Sequence, residues 1–231
     1  LRRQRQMCIR DSAGRGRRGR GWESPAGTNI YYTLMLKPDF SSDCAPMLTL
    51  VMALAVAKGI RQTLRRDSEE AAAKVGIKWP NDIVVDGKKV CGILTEMSME
   101  QGYIQHIVIG VGINVRKQEF PEEIRDRAAA IDEQCGFRIS RSQLIADIME
   151  AFEEDYEIFL RTHDLKGLRA SYAELLVNQD REVCVLDPKG EYRGIARGIN
   201  DQGELLVERQ DGTVEEVYAG EVSVRGIYGY V

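Results

Sequence analysis

An α+β fold is the architecture this sequence predicts: a mixed β-sheet with helices packed on one face, followed by a small SH3-like β-barrel. Three observations lead there. Runs rich in β-formers (29–37 and 103–115) stand on either side of a hairpin signal. Two long stretches (46–64 and 140–163) read as helices. After Asn178 the texture changes to short strands separated by PKG, DQG and QDG turns.

Taken in order, residues 1–12 (LRRQRQMCIRDS) have no period, and no regular structure is expected there. The run SAGRGRRGRG reads as a loop with unusual backbone freedom. NIYYTLMLK is a buried strand. Residues 46–64 form a helix with Pro46 in its first turn and an apolar surface nearly all round, hence deeply buried. Residues 69–75 continue it as a short amphipathic piece. GIKWPND starts as a strand and breaks at Pro80. Ile83–Val85 and Lys89–Met97 flank Asp86-Gly87, a hairpin turn. Tyr103–Val115 is a long strand interrupted by Gly110 and Gly112. Residues 121–133, 140–163 and 166–177 read as helices, and Ser140 with Gln143 fits a capping box. Five strands then crowd into the remainder. The expected organisation is an unpatterned start (1–12), a catalytic-sized domain (13–177) and a small β domain (178–231).

The chain has 231 residues, 43% hydrophobic and 29% charged, which excludes wholesale disorder. The longest apolar stretch, Ala45 to Ala57, contains Pro46 and Thr49 and is too short to span a bilayer, so no membrane partner is expected. No secretory signal is visible. Five scattered cysteines without a CxxC pair argue against a disulfide framework or a zinc site, and reduced thiols point to the cytoplasm. Charge is unevenly placed. Residues 1–20 hold eight arginines and one acid, whereas the rest is net acidic. An acidic body repels polyanions, so the arginine cluster suggests one confined anion, and no specific DNA binding is expected.

Three constellations carry chemistry. In Gly14-Arg15-Gly16-Arg17-Arg18-Gly19-Arg20, interleaved glycines let backbone amides approach a ligand, and guanidinium forks match phosphate oxygens in pairs. By composition alone the same run also suits a flexible RNA-binding segment. The neighbouring Trp22 and the strand that follows tie it to the fold. Lys78 in KWPND is an amine on a strand edge, aimed by Trp79 and Pro80 at a carboxylate or phosphate. The ordinary alternative is a solvated surface lysine. Gly110 and Gly112, at spacing two, lie on one strand face with Asn114, making it flat and open to an apolar ligand. A bulge or tight strand packing would use the same glycines. His106 and His163 have no metal-spaced companions, and no Walker, Rossmann or GxSxG motif occurs.

GRGRRGRGWESPAGTNIYYTLML, KWPNDIVVDGKKVCGILTEM and VIGVGINV, in that order, resemble the three signature blocks of the biotin protein ligases (biotin–[acetyl-CoA carboxylase] ligases). The resemblance spans about residues 13–231. It implies a catalytic domain of the biotin/lipoate ligase type and a two-step reaction. Biotin and Mg-ATP give biotinyl-5′-AMP, and a lysine of a biotin carboxyl carrier protein then takes the biotinyl group. By resemblance Arg15, Gly16 and Arg17 close over biotin and the adenylate, with Arg17 and Lys78 assigned to catalysis. Arg18 and Arg20 order the loop or meet phosphate, and Trp22 packs beside the nucleotide. Gly92, Gly110, Gly112 and Asn114 line the floor. ATP and Mg2+ are the implied cofactors, and a related lipoate-type ligase is the alternative. The family carries a Ser/Thr-Asn motif upstream of the arginine loop and a glutamine where this chain has Asp11. This gives the expectation that residues 1–12 are not a native start, with an inactive, shortened form of a biotin ligase as a second alternative. An edge near the glycine-bearing strand is a candidate homodimer contact.

Overall fold

The apolar stretch read as a buried helix becomes α1 (Met47–Arg65), around which the larger part of the molecule is layered. The computed structural model describes residues 5–8, 16, 22, 27–187, 190–219, 223–226 and 230. By length and composition the segment Ser42–Arg65 could cross a membrane, but 72% of its apolar window is buried inside the protein. Leu48, Val51, Met52, Leu54 and Val56 are wholly enclosed, which places α1 as the core helix.

The larger sheet contains β1 (Arg5–Cys8), β2 (Ile30–Leu36), β3 (Val75–Lys78), β4 (Asp82–Val85), β5 (Lys88–Glu100) and β6 (Tyr103–Ile113). Their order is β1-β2-β6-β5-β4-β3. Adjacent strands pair antiparallel, and the parallel bridges Ile77–Leu176 and Lys89–Ala128 make the sheet mixed. On β2 and β6, residues alternate between buried (Ile30, Tyr32, Leu34; Ile109, Val111, Ile113) and half-buried (Tyr31, Thr33; Gly110, Gly112). Alternation of this kind gives one face to the core and leaves the other available. α1 packs against β3, β4 and β5, and α4 (Arg141–Thr162) packs on α1, so the helices cover one face as expected.

Ion pairs join the two long helices. Arg66 holds the buried Asp147 with two hydrogen bonds, Thr63 adds a third at 2.6 Å, and Lys58 Nζ meets the enclosed Asp155 at 2.5 Å. Ser140 caps α4 by accepting from the Gln143 amide, but the Gln143 side chain turns to Asp147 instead of completing the capping box. His163 ends α4 in the left-handed region and packs beside Phe40 and Phe159.

Four local expectations are corrected. Residues 5–8, read as unstructured, form β1 because β2 offers unpaired backbone groups along Thr33–Leu36. The segment 121–133 is not one helix. Turns occupy 122–127, Ala129 donates to the Lys89 carbonyl, and only α3 (Ile131–Cys135) is helical. The helix expected over 166–177 shortens to α5 (Arg169–Ala173), because Leu175 and Val177 are drawn into hydrogen bonds with Ile77. The edge expected beside the glycine-bearing strand is absent, since β6 is hydrogen-bonded to β2 and β5 on its two sides.

The smaller sheet is five-stranded and antiparallel: β7 (Glu182–Asp187), β8 (Gly190–Ile199), β9 (Leu205–Glu208), β10 (Val214–Val217) and β11 (Ser223–Gly226), in the order β10-β9-β8-β7-β11. Its 200–204 turn docks on the larger part. Trp79 Nε1 donates to the Gly203 carbonyl at 2.9 Å, the Leu165 amide donates to the Asp201 carbonyl at 2.8 Å, and Arg169 pairs with Asp201.

Candidate functional site

Strand register brings the sequence motifs together. Lys78 lies opposite Asp82, Asp82 opposite Gly92, Gly92 opposite Gly112, and Gly112 opposite Tyr31. Direct cross-strand partners project to the same side of a sheet. These five residues therefore form one rung running across β3, β4, β5, β6 and β2, on the face turned away from α1. Gly110 follows on the same face, opposite Thr33.

At one end Lys78 is only 7% exposed. Its ammonium lies 4.0 Å from the ring centre of Tyr230, whose hydroxyl donates to the Asp82 carboxylate. Burial pushes Lys78 down to about 8. Asp82 works against that shift, while Lys89, Arg225 and Arg127 add to it. Lys89 Nζ pairs with Asp82 Oδ1 at 2.5 Å and lies 5.5 Å from the Trp22 ring centre. Four cations thus act around one carboxylate, an arrangement that favours an added anion. The sequence reading missed Lys89, Arg127, Arg225 and Tyr230. They come from separate elements, and only register and chain crossing bring them to Lys78.

In the middle, the glycines make the floor. A Cβ at Gly112 would sit 2.6 Å from Trp22 Cε2 and Nε1, and one at Gly92 would sit 2.9 Å from Trp22 Cζ3. The indole therefore rests directly on backbone, a contact any side chain would block. A Cβ at Gly110 would meet nothing nearer than the Leu94 carbonyl oxygen at 3.7 Å. Trp22 thus covers Gly92 and Gly112, and Gly110 stays clear of it.

At the other end neutral amides replace charge. Asn29 Nδ2 donates to the Tyr31 hydroxyl and to Gln118 Oε1, at 3.0 and 2.7 Å. Asn29 Oδ1 accepts from the Val115 amide, and Gln118 Nε2 donates to Asn114 Oδ1 at 3.4 Å. Asn114, predicted on the glycine face, is buried just past β6, with its own amide donating to the Val90 carbonyl. A signal for Asn29 existed, a polar residue immediately before a buried strand, but nothing in sequence links it to Gln118. A cavity of about 490 Å³ lies beside this end, lined by Gln118, Phe120, Arg125 and Glu133 among others. None of the five rung residues lines it, so the rung and not the cavity carries the chemistry assigned here.

Gly16 is half-buried. Arg15, Arg17, Arg18 and Arg20 lie outside the described residues. Among the described residues no three His, Cys, Asp or Glu side chains gather as a metal cage. The rung's one carboxylate, Asp82, is already engaged by Lys89 and Tyr230. The described residues do not fit a resident magnesium site, which leaves magnesium as part of the substrate Mg-ATP.

Comparison with known proteins gives the following. The model of the biotin/lipoate A/B protein ligase family matches residues 6–114, and that of the biotin protein ligase C-terminal domain matches 180–225. The bifunctional ligase/repressor BirA of Bacillus spizizenii is 36% identical over 222 residues, covering 94% of this chain. The chain spans 65% of that relative's length. The biotin–[acetyl-CoA-carboxylase] ligase of Mycobacterium tuberculosis is 30% identical over 213 residues, 91% of this chain and 75% of its own. Among solved structures, the biotin protein ligase of Aquifex aeolicus in complex with biotin and ATP superposes with a TM-score of 0.79 at 28% identity, covering 96% of this chain and 88% of that one.

Proposed function

We propose that this chain, which belongs to the biotin protein ligase family, joins biotin to a lysine of a biotin carboxyl carrier protein at the expense of Mg-ATP. In the first step a biotin carboxylate oxygen bonds to the α-phosphorus. The bond from that phosphorus to the bridging oxygen breaks, and pyrophosphate leaves with the electron pair. In the second step the carrier's ε-amine attacks the biotinyl carbonyl carbon, AMP leaves with the electron pair of the C–O bond, and the new amide nitrogen releases a proton. No side-chain nucleophile of the ligase takes part.

The observation that carries this reading is the rung, with a buried, cation-surrounded amine at one end of a glycine floor. Two anions repel on approach. Lys78 sits where it would offset that repulsion and stabilise charge on the five-coordinate phosphorus. By resemblance Arg15, Gly16 and Arg17 add to this from the loop, with Arg18 and Arg20 ordering it or meeting phosphate. With Trp22 lying on Gly92 and Gly112, the indole offers a flat apolar surface to a ligand, and excluding water there would protect a mixed anhydride from hydrolysis. Asn114, Gln118 and Asn29 suit a neutral hydrogen-bonding group at the far end. The match to the C-terminal domain of biotin ligases supports biotin over lipoate as the acid. A cytoplasmic setting and a small β domain from 178 onward belong to the same reading.

The test is mass spectrometry of an apo carrier protein incubated with this chain, biotin and Mg-ATP, alongside biotin-dependent exchange of labelled pyrophosphate into ATP. The expected outcome is carrier mass increased by one biotinyl group. Exchange driven by lipoate and not by biotin would give the site to the alternative acid. No exchange with either would overturn the reading.

A further inference from the structure

Lys78 and Asp82 are direct cross-strand partners on β3 and β4. Side chains so placed stand about 5 Å apart at Cβ, and an ammonium opposite a carboxylate pairs with it by default. That pair is not made. Lys78 is only 7% exposed, yet among the described residues no oxygen accepts a hydrogen bond from its ammonium and no carboxylate meets it as an ion pair. Tyr230, four residues beyond β11, touches both partners instead. Its ring centre lies 4.0 Å from Lys78 Nζ, and its hydroxyl donates to Asp82 Oδ2.

The other carboxylate oxygen is also taken. Ile83 of β4 lies opposite Cys91, but the next residue, Val84, lies opposite Lys89, so Val90 is an extra residue in β5. The bulge brings Lys89 onto the face that carries Asp82, where its Nζ meets Oδ1 at 2.5 Å. Lys89 and Tyr230 thus hold both oxygens of Asp82. The Tyr230 hydroxyl supplies a neutral hydrogen bond where the Lys78 ammonium would otherwise donate. Its ring gives the ammonium an electron-rich face, a weaker partner than a carboxylate and one that an arriving anion readily displaces. The charged groups acting on Lys78 are Asp82 from β4, Lys89 from β5, Arg127 from the turn at 122–127 and Arg225 from β11, with Tyr230 as a further titratable neighbour. Only Asp82 among them carries negative charge, so the state of Lys78 depends on where that carboxylate turns.

We propose that Tyr230 is a positioning residue that keeps Lys78 from pairing with Asp82: the hydroxyl holds the carboxylate back, the ring lies on the ammonium without neutralising it, and the amine stays available to an incoming carboxylate or phosphate. The identity of that anion rests on the ligase reading; the separation of Lys78 from Asp82 does not. The end of the chain thereby acts on the chemistry of the larger sheet through one side chain.

The experiment compares wild type, Tyr230→Phe, Asp82→Asn and the double variant from pH 7 to 10 in two measurements. One is NMR titration of lysines carrying carbon-13 at Cε, with the Lys78 signal identified by its loss in Lys78→Met. The other is biotin-dependent pyrophosphate exchange. Tyr230→Phe keeps the ring and loses the hydroxyl. The freed Asp82 oxygen is expected to turn to Lys78, raising its proton affinity by about tenfold, slowing exchange at pH 7 by about tenfold and moving the alkaline decline of exchange upward with the titration midpoint. Where Asp82 is asparagine no carboxylate is left to turn, so adding Tyr230→Phe to Asp82→Asn is expected to leave the Lys78 midpoint where Asp82→Asn alone puts it. A merely structural role for Tyr230 would not depend on Asp82 in this way. A folded Tyr230→Phe whose Lys78 midpoint does not rise overturns the proposal, as does a raised midpoint with exchange at pH 7 undiminished. If the midpoint moves as expected and wild type shows no biotin-dependent exchange, the separation of Lys78 from Asp82 stands and the ligase reading fails.

Discussion

Trp22 occupies the space that a side chain at position 112 would need, its indole 2.6 Å from where a Cβ on Gly112 would stand. The two are separated by ninety positions in sequence, and the contact makes the tryptophan a reporter of the floor. Gly112→Ala is expected to lift the indole, shift its fluorescence to longer wavelength and weaken the biotin-induced melting shift by about tenfold in apparent affinity. Gly110→Ala, facing only the Leu94 carbonyl at ordinary contact distance, is expected to leave both signals close to wild type.

Lys78→Met separates chemistry from stability. Adenylate formation, read by pyrophosphate exchange, is expected to fall by about 100-fold or more. The same change is expected to raise the melting temperature at pH 7, because a buried ammonium costs free energy that an apolar chain of similar length does not.

The pH dependence follows from the direction of that shift. The folded-state value of Lys78, about 8, lies below the ordinary lysine value of 10.5. Between those two the unfolded chain binds more protons, so this group makes stability rise with pH across that window. Below about pH 8 its full cost is present, on the order of 3 kcal/mol. Exchange activity moves the opposite way, declining as pH passes about 8 and Lys78 loses its charge. Denaturant titrations of wild type and Lys78→Met from pH 7 to 10 check the first statement, with the two curves converging as pH rises.

Asp147→Asn tests the clamp between α1 and α4. Burial alone would raise this carboxyl, but hydrogen bonds from Arg66, Thr63 and Gln143 outweigh it and leave it below the ordinary range. Its contribution is therefore present at neutral pH and is lost as pH falls through the lowered value. The variant is expected to lose about 2 kcal/mol of stability at pH 7 by urea titration. Biotin binding by the folded fraction is expected to be unchanged, since the clamp lies on the helical side.

Trp79→Phe keeps the buried ring and removes the donor to Gly203. A loss of about 1–2 kcal/mol is expected, because the Gly203 carbonyl would be left without that partner. Faster limited proteolysis near residues 178–181 is the measurement.

The fold was legible where side-chain pattern and backbone need agreed. Met47–Arg65 is apolar nearly all round and could only be a core helix, and Asp86-Gly87 between β-forming runs could only turn back on itself. The segment 121–133 was misread because its helix-compatible composition is overridden by the bridge from Lys89 to Ala128. At the site, Lys78 and Gly112 stood out because each departs from what a plain strand requires, whereas Gly92 and Trp22 were reached only through the family resemblance. Lys89 was not, because alternation assigns it to the other face and the inserted Val90 that reverses the parity has no signature of its own. Asn29 and Gln118, 89 positions apart, meet only once β2 and β6 are in register.

The rung from Lys78 to Tyr31 also acts as a ruler. It crosses four strand-to-strand intervals, which at the usual spacing amounts to about 19 Å. A ligand held at one end only must give up its freedom of movement for half of the available contacts. Two molecules docked at opposite ends each bear that loss separately, whereas the product of joining them bears it once and keeps both sets of contacts. On the proposed ligase reading, condensation along such a ruler would make the conjugate bind more tightly than either component and hold it until an incoming amine collects it.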